Sequence, residues 1–162
     1  APNKRVDLAI RVFNRLKLPL KIVGKGQDEA FCHSIAGESI FFLGECDDEQ
    51  LLELYQQARA FVFPGEDDFG ITPLEAQACG TPVIAYAAGG ALETVTETTG
   101  IFFEEQTEEA LSHAVEDMEQ RHLDFKPENF KKYTSQFSRE RYRNEMFNTI
   151  KNAYSSWNLE ST

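Results

Sequence analysis

Five short, largely apolar runs alternate with helix-patterned segments, and this alternation constrains the 162-residue chain more than any other feature. The runs are Leu20–Val23, Ile40–Leu43, Ala60–Phe63, Pro82–Tyr86 and Ile101–Phe103. The first three stop at Gly24, Gly44 and Pro64-Gly65, as strands entering turns do. Between them, Val6, Ala9, Ile10, Phe13 and Leu16 recur at helical spacing and predict a helix over residues 5–16. A weaker helix is expected over 27–35. Leu51, Leu54, Tyr55 and Ala58 form the inner stripe of another, capped by Asp47 or Asp48. Further helices are expected from Thr72 to Gly80, around Ala91–Val95 and over Thr107–Glu119. Two more close the chain, the last carrying Tyr142, Met146, Ile150 and Tyr154.

Strands buried on both faces read as unbroken apolar runs, which is the habit of parallel sheets. The expected class is therefore α/β, a doubly wound parallel sheet with flanking helices. The length suits a single domain over residues 1–162, with 130–162 as a C-terminal helical tail. A doubly wound domain normally opens with a strand, whereas this chain opens with a helix. The expectation is that a first strand is missing from the chain and that the tail packed on the absent part.

Charge and cysteine content narrow the function classes. The formal net charge of -11 repels phosphate backbones, which argues against nucleic-acid binding. Cys32, Cys46 and Cys79 are an odd set without C-x-x-C spacing, so neither a disulfide framework nor a zinc site is expected, and a reducing cytosol is. The three histidines have no metal-ligand spacing. No apolar run approaches the roughly 18 residues of a membrane span.

In open parallel sheets, ligands bind beyond the carboxyl ends of the strands. The segments there are Gly24-Lys25-Gly26, Gly44-Glu45-Cys46, Gly65–Thr72 and Ala87–Gly90. The richest is Asp67-Asp68-Phe69-Gly70-Ile71-Thr72-Pro73-Leu74-Glu75. Locally, Thr72 reads as an N-cap, Pro73 as the first helical residue and Glu75 as the far side of a T-x-x-E capping box. The same segment also reads as a binding site. A helix start presents unpaired N–H groups and partial positive charge to a phosphate. Two carboxylates separated by seven residues can accept bonds from ligand hydroxyls. A polyol attached to a diphosphate suits both features, and a paired-acid hydrolase is the alternative. Lys4 and Arg5 are either two exposed cations or a clamp on a diphosphate leaving group.

Four stretches carry a resemblance: Phe61-Val-Phe-Pro, Glu66-Asp-Asp-Phe-Gly-Ile-Thr-Pro-Leu-Glu75, Ala76-Gln-Ala-Cys-Gly-Thr-Pro-Val-Ile-Ala85 and Gly89-Gly-Ala-Leu-Glu-Thr-Val95. Lys4–Ile10, Ile22–Gly26, Phe42-Leu-Gly44 and Phe137–Arg141 add to it. Together they resemble the C-terminal domain of group 1 (family 4) retaining glycosyltransferases, whose GT-B fold sets two Rossmann-like domains across a cleft. The resemblance implies a role for each matched residue. Glu75 would hold the ribose hydroxyls of the nucleotide. Asp67, an aspartate where the family usually has glutamate, would lie near the donor sugar, with Glu66 beside it. Lys4 would hold the diphosphate. Phe69, Gly70, Ile71 and Thr72 would face the sugar and diphosphate through their backbone. Gly24 and Gly26 would border the nucleotide, and the backbone near Cys46 would meet the base. Asp67, Glu75 and Lys4 are thus the expected catalytic set.

The resemblance further implies sugar transfer with retention, no obligatory metal or other cofactor, and a partner N-terminal domain that carries the acceptor site. The stretch is most similar to bacterial mannosyltransferases, which implies GDP-mannose as donor and a polysaccharide or glycolipid as acceptor. UDP-sugar transferases of the same family and nucleotide-sugar epimerases of the same two-domain fold are the alternatives, followed by a stand-alone binding module. The enzyme is expected in the cytoplasm, peripheral to the inner face of the membrane, with any membrane contact made through the half that this chain lacks.

Overall fold

A computed structural model describes residues 2–160 of the chain. Helices α1 (Val6–Leu16), α2 (Glu29–Ile35), α3 (Asp48–Gln57), α4 (Ile71–Ala78), α5 (Ala91–Thr94), α6 (Glu108–Arg121), α7 (Pro127–Thr134) and α8 (Arg139–Glu160) alternate with five strands. The strands are β1 (Leu20–Val23), β2 (Ile40–Gly44), β3 (Phe61–Phe63), β4 (Val83–Tyr86) and β5 (Gly100–Phe103). All observed pairings are parallel: β1 with β2, β3 with β4, and β4 with β5. The predicted strands and helices are therefore present, with ends that move by a residue or two.

Side-chain alternation along β4 shows why helices cover both faces. Val83 and Ala85 point into a core shared with Tyr55 of α3, Ala76 of α4 and Ala91 of α5. Ile84, between them, points into a second core with Ile10 and Phe13 of α1 and Leu111, Val115 and Met118 of α6. Successive residues of a strand face opposite sides, so a strand apolar at every position needs cover on both.

The sheet is divided into two hydrogen-bonded groups, β1-β2 and β3-β4-β5. Leu20 and Ile22 of β1 and Val62 of β3 nonetheless pack against the same core. At the start of β1 and just past its end, the N–H groups of Leu20 and Gly24 are spent on Ser39 and Gly44 at 2.9 and 2.6 Å. On β3, the N–H of Phe61 is spent on Pro82 at 2.8 Å. Alternation therefore turns the N–H groups of Lys21 and Val62 toward edges where no ladder runs among the described residues.

Helix ends hold two findings. Asp47 is the residue that caps α3, as half of a reciprocal box: its carboxylate accepts from Gln50 N at 2.8 Å, and its own N–H donates to Gln50 Oε1 at 3.1 Å. The expected box at Thr72 and Glu75 is absent. Helix α4 instead starts two residues earlier, at Ile71, behind Gly70 in the left-handed region (φ 78°), with no side-chain cap. Thr72 and Pro73 are its second and third residues, where Pro still costs nothing because the first N–H groups have no helical partner. Glu75 is left free for other work.

Helix α8 stands apart from both cores. It leaves Tyr142, Met146, Phe147, Ile150 and Tyr154 exposed along its length. None of the described helices is long and apolar enough to cross a membrane.

Candidate functional site

The carboxyl ends of β3 and β4 hold the loop Gly65–Gly70, which carries most of the predicted residues. This loop is gripped from both sides. On one side lies the chain's opening 3₁₀ turn, Pro2–Lys4. Glu66 N donates to the Asn3 carbonyl at 3.2 Å, and Asn3 Nδ2 donates to the Glu66 carbonyl at 3.4 Å. The approach is so close that a β-carbon on Gly65 would lie 2.2 Å from the Asn3 carbonyl oxygen and 2.5 Å from Lys4 Cα. On the other side, Gly90 N donates to the Asp67 carbonyl at 2.8 Å. A β-carbon on Gly90 would stand 2.2 Å from Phe69 Cα. Glycine is required at both positions because backbone meets backbone.

This grip brings two of the predicted residues into contact across 63 residues of sequence: Lys4 Nζ donates to the Asp67 carboxylate. Its ammonium also lies 6.0 Å from the centre of the Phe63 ring. The pair is partly open to solvent, with side chains 42% and 24% exposed, so its Coulombic contribution is under about 1 kcal/mol. Its value lies in placement: one cation and one carboxylate are fixed side by side at the entrance to α4. Asp67, rather than its exposed neighbour Glu66, is turned toward Lys4.

Arg5 takes another course. Its backbone adopts φ 49°, and its guanidinium donates to Asp7 at 3.3 Å and to Gln106 Oε1 at 3.1 Å. Gln106 in turn donates to the Pro64 carbonyl at 2.8 Å. Arg5 is thereby a brace for the loop, and the two-cation clamp reduces to Lys4 alone. Asn3 and Gln106 carry no signal in the sequence, Gly65 reads only as the start of a ligand-facing loop and Arg5 only as a second cation, because each acts on a residue remote in the chain.

The loop runs directly into the start of helix α4. The N–H groups of Ile71 and Thr72 lie in its first turn, where no helical carbonyl can reach them. Buried Gln77 ties α4 to α5 by donating to the Pro73 and Thr94 carbonyls at 2.9 and 2.6 Å. Glu75 is exposed, and its Oε2 accepts from the Tyr55 hydroxyl at 3.4 Å. Burial, with the Glu75 carboxylate beside it, raises the Tyr55 hydroxyl well above the usual phenol range, so it remains a donor at any physiological pH. Phe69 is half exposed and meets Phe137 edge-on at 6.0 Å, which is itself backed by Tyr133 at 5.5 Å.

Gly24, Gly26 and Cys46 lie in a second cluster at the ends of β1 and β2. The Gly26 carbonyl opens the turn into α2 by accepting from Glu29 N at 3.2 Å. Lys25 and Glu45 join the two loops at 3.4 Å. Cys46 is half-buried beside them. Among the described residues, no three His, Cys, Asp or Glu side chains converge to hold a metal ion.

A loop of mixed charge at a helix start, on the carboxyl edge of a parallel sheet, is suited to holding an anion next to hydroxyl groups. The family model described as glycosyl transferases group 1 matches residues 1–137. The chain belongs to this family. Among curated relatives, it is 36% identical over 104 residues to a GDP-mannose-dependent monoacylated alpha-(1-6)-phosphatidylinositol monomannoside mannosyltransferase of Corynebacterium glutamicum, covering 57% of this chain and 27% of that protein. It is 38% identical over 96 residues to a GDP-mannose-dependent alpha-mannosyltransferase of Mycolicibacterium smegmatis, covering 59% of this chain and 25% of that one. The glycosyltransferase match thus spans about a quarter of each curated relative. Among solved structures, sucrose-phosphate synthase from Thermosynechococcus elongatus superimposes with a TM-score of 0.84 at 25% identity, covering 96% of this chain and 44% of that one. The Anabaena HepE protein in complex with UDP-glucose does so with a TM-score of 0.80 at 20% identity, covering 94% and 46%. The α/β architecture with parallel strands and flanking helices is thus that of GT-B glycosyltransferases, as the sequence motifs led us to expect.

Proposed function

We propose that this glycosyltransferase chain is the donor-binding half of a retaining enzyme that transfers mannose from GDP-mannose to a polysaccharide or glycolipid acceptor. The observation that carries the reading is the placement of Lys4, Asp67 and the α4 start together, with Glu75 exposed on the same helix. In this reading Lys4 and the N–H groups of Ile71 and Thr72 meet the diphosphate. Charge grows on that group as the glycosidic bond breaks, so a fixed cation stabilises the transition state more than the bound donor. Asp67 then exchanges Lys4 for a hydroxyl of the donor sugar. Glu75 accepts from the ribose, Phe69 and Gly70 line the sugar, and Gly24, Gly26 and Cys46 border the nucleoside. Cation and helix start do the work a metal would do, so none is required.

The unpaired edges of β1 and β3 suggest a parallel strand between them, supplied from outside this chain, and the exposed aromatic face of α8 suits packing on the acceptor domain. Acceptor binding and any membrane contact then belong to that other half, with the enzyme in the cytoplasm at the membrane's inner face.

Mannose is favoured by the GDP-mannose-dependent relatives. A UDP-sugar is the second reading, favoured by the fold's likeness to a protein holding UDP-glucose. Calorimetric titration with GDP, UDP, GDP-mannose and UDP-glucose, run once with EDTA and once with magnesium, separates them. The expected result is tighter binding of the two guanine ligands by about tenfold or more, which corresponds to about 1.4 kcal/mol. Preference for the uracil ligands would discard mannose while keeping the site. A requirement for a divalent cation would overturn the metal-free reading.

A further inference from the structure

We propose that Tyr55 is the positioning residue for Glu75, fixing the carboxylate that the ribose hydroxyls meet. The inference rests on the reading of Glu75 given above. Tyr55 lies on α3 and Glu75 on α4, so the two meet only through the fold. Tyr55 is 7% exposed, and its ring sits edge-on against Phe61, with centres 5.6 Å apart. Its carbonyl accepts from the Thr81 hydroxyl at 2.5 Å and from Ala58 N at 3.1 Å. Ring and backbone are therefore held by the core, and a phenylalanine would fill the same space. What a phenylalanine lacks is the hydroxyl, which reaches out of that core to Glu75 Oε2 at 3.4 Å.

An exposed glutamate otherwise samples many rotamers, and a ligand that binds it must order it. A rigid donor narrows that choice beforehand. It occupies one acceptor site of Oε2 and leaves Oε1 and the rest of Oε2 for ligand hydroxyls. Because burial keeps the Tyr55 hydroxyl protonated, the arrangement holds across physiological pH.

The test compares GDP and UDP with their 2′,3′-dideoxy forms on the parent chain and on Tyr55→Phe. The parent is expected to favour the ribose forms by about tenfold or more, the size of one charge-assisted hydrogen bond. Tyr55→Phe is expected to cut that preference roughly fivefold, with dideoxy affinity unchanged within about twofold. An unchanged preference, or an equal loss for both forms, would overturn the proposal, since a purely structural ring cannot single out the ribose. A parent that shows no ribose preference would overturn the reading of Glu75 itself, before any variant is made. Should Tyr55→Phe fail to fold, Glu75→Asp serves: it keeps the charge but withdraws the carboxylate from Tyr55 by one methylene. The preference is expected to collapse, and its retention would overturn the proposal.

Discussion

Replacing Gly65 by alanine is expected to break the site open while leaving both cores intact. The new β-carbon has nowhere to go: its nearest neighbours are the backbone of Asn3 and Lys4, at 2.2–2.8 Å. Backbone cannot rotate aside as a side-chain tip can, so the opening turn must leave the loop. With it go the Glu66–Asn3 hydrogen bonds and the contact of Lys4 with Asp67. Overpacking of this kind costs about 1–3 kcal/mol, a fall in melting temperature of roughly 2–4 °C for each kcal/mol in a chain of this size. The larger effect is on the ligand. A displaced Lys4 no longer offers its charged hydrogen bond to a diphosphate, so nucleotide affinity is expected to fall about tenfold to a hundredfold. Differential scanning fluorimetry and calorimetry on the same sample separate the two quantities. An alanine variant that binds like the parent would mean that the turn and the loop do not form one site.

Glu75→Ala is expected to have the opposite profile, with stability kept and binding lost. Glu75 is exposed and on a helix, where alanine is the more favourable residue. It takes no part in capping α4, which Gly70 begins. What the variant gives up is the carboxylate, and charge-assisted hydrogen bonds are worth about 1.5–3 kcal/mol each, so nucleoside diphosphate affinity should fall at least about tenfold. Glu66→Ala is the control. Glu66 meets Asn3 through its backbone, and its side chain is exposed, so binding is expected to stay within about twofold. Equal behaviour of the two variants would remove the special standing of Glu75.

The fold was largely legible in the sequence because its strands are apolar at consecutive positions. Val83, Ile84 and Ala85 require cover on two sides, and helices of α/β pattern supply it. The division of the sheet into β1-β2 and β3-β4-β5 was not legible, because apolar runs identify strands and not which edges pair. Motifs single out Lys4, Asp67 and Glu75 as candidates, and the structure brings the first two into contact.

What stayed hidden depends on contacts remote in sequence. Arg5 reads as a second cation of the site, yet Gln106, 101 residues away, turns it into a brace. Tyr55 reads as one member of a buried stripe, which is right for its ring and silent about its hydroxyl. Thr72 reads as a cap because Thr-x-x-Glu is a good local box. The left-handed turn at Gly70 won instead, starting α4 earlier and leaving both side chains unused for capping. A local pattern competes with a turn that two neighbouring segments already hold, and here the turn prevails.

Amide chemical-shift mapping by NMR on addition of GDP locates the bound nucleotide residue by residue. The perturbed N–H groups are expected to cluster at Ile71 and Thr72, with the loop over 65–70 and Gly24 and Gly26 beside them. Shifts confined to the cleft lined by Arg59, His122, Leu123 and Lys126 would contradict this placement, because that cleft lies near Pro82, at the amino end of β4 and away from the start of α4.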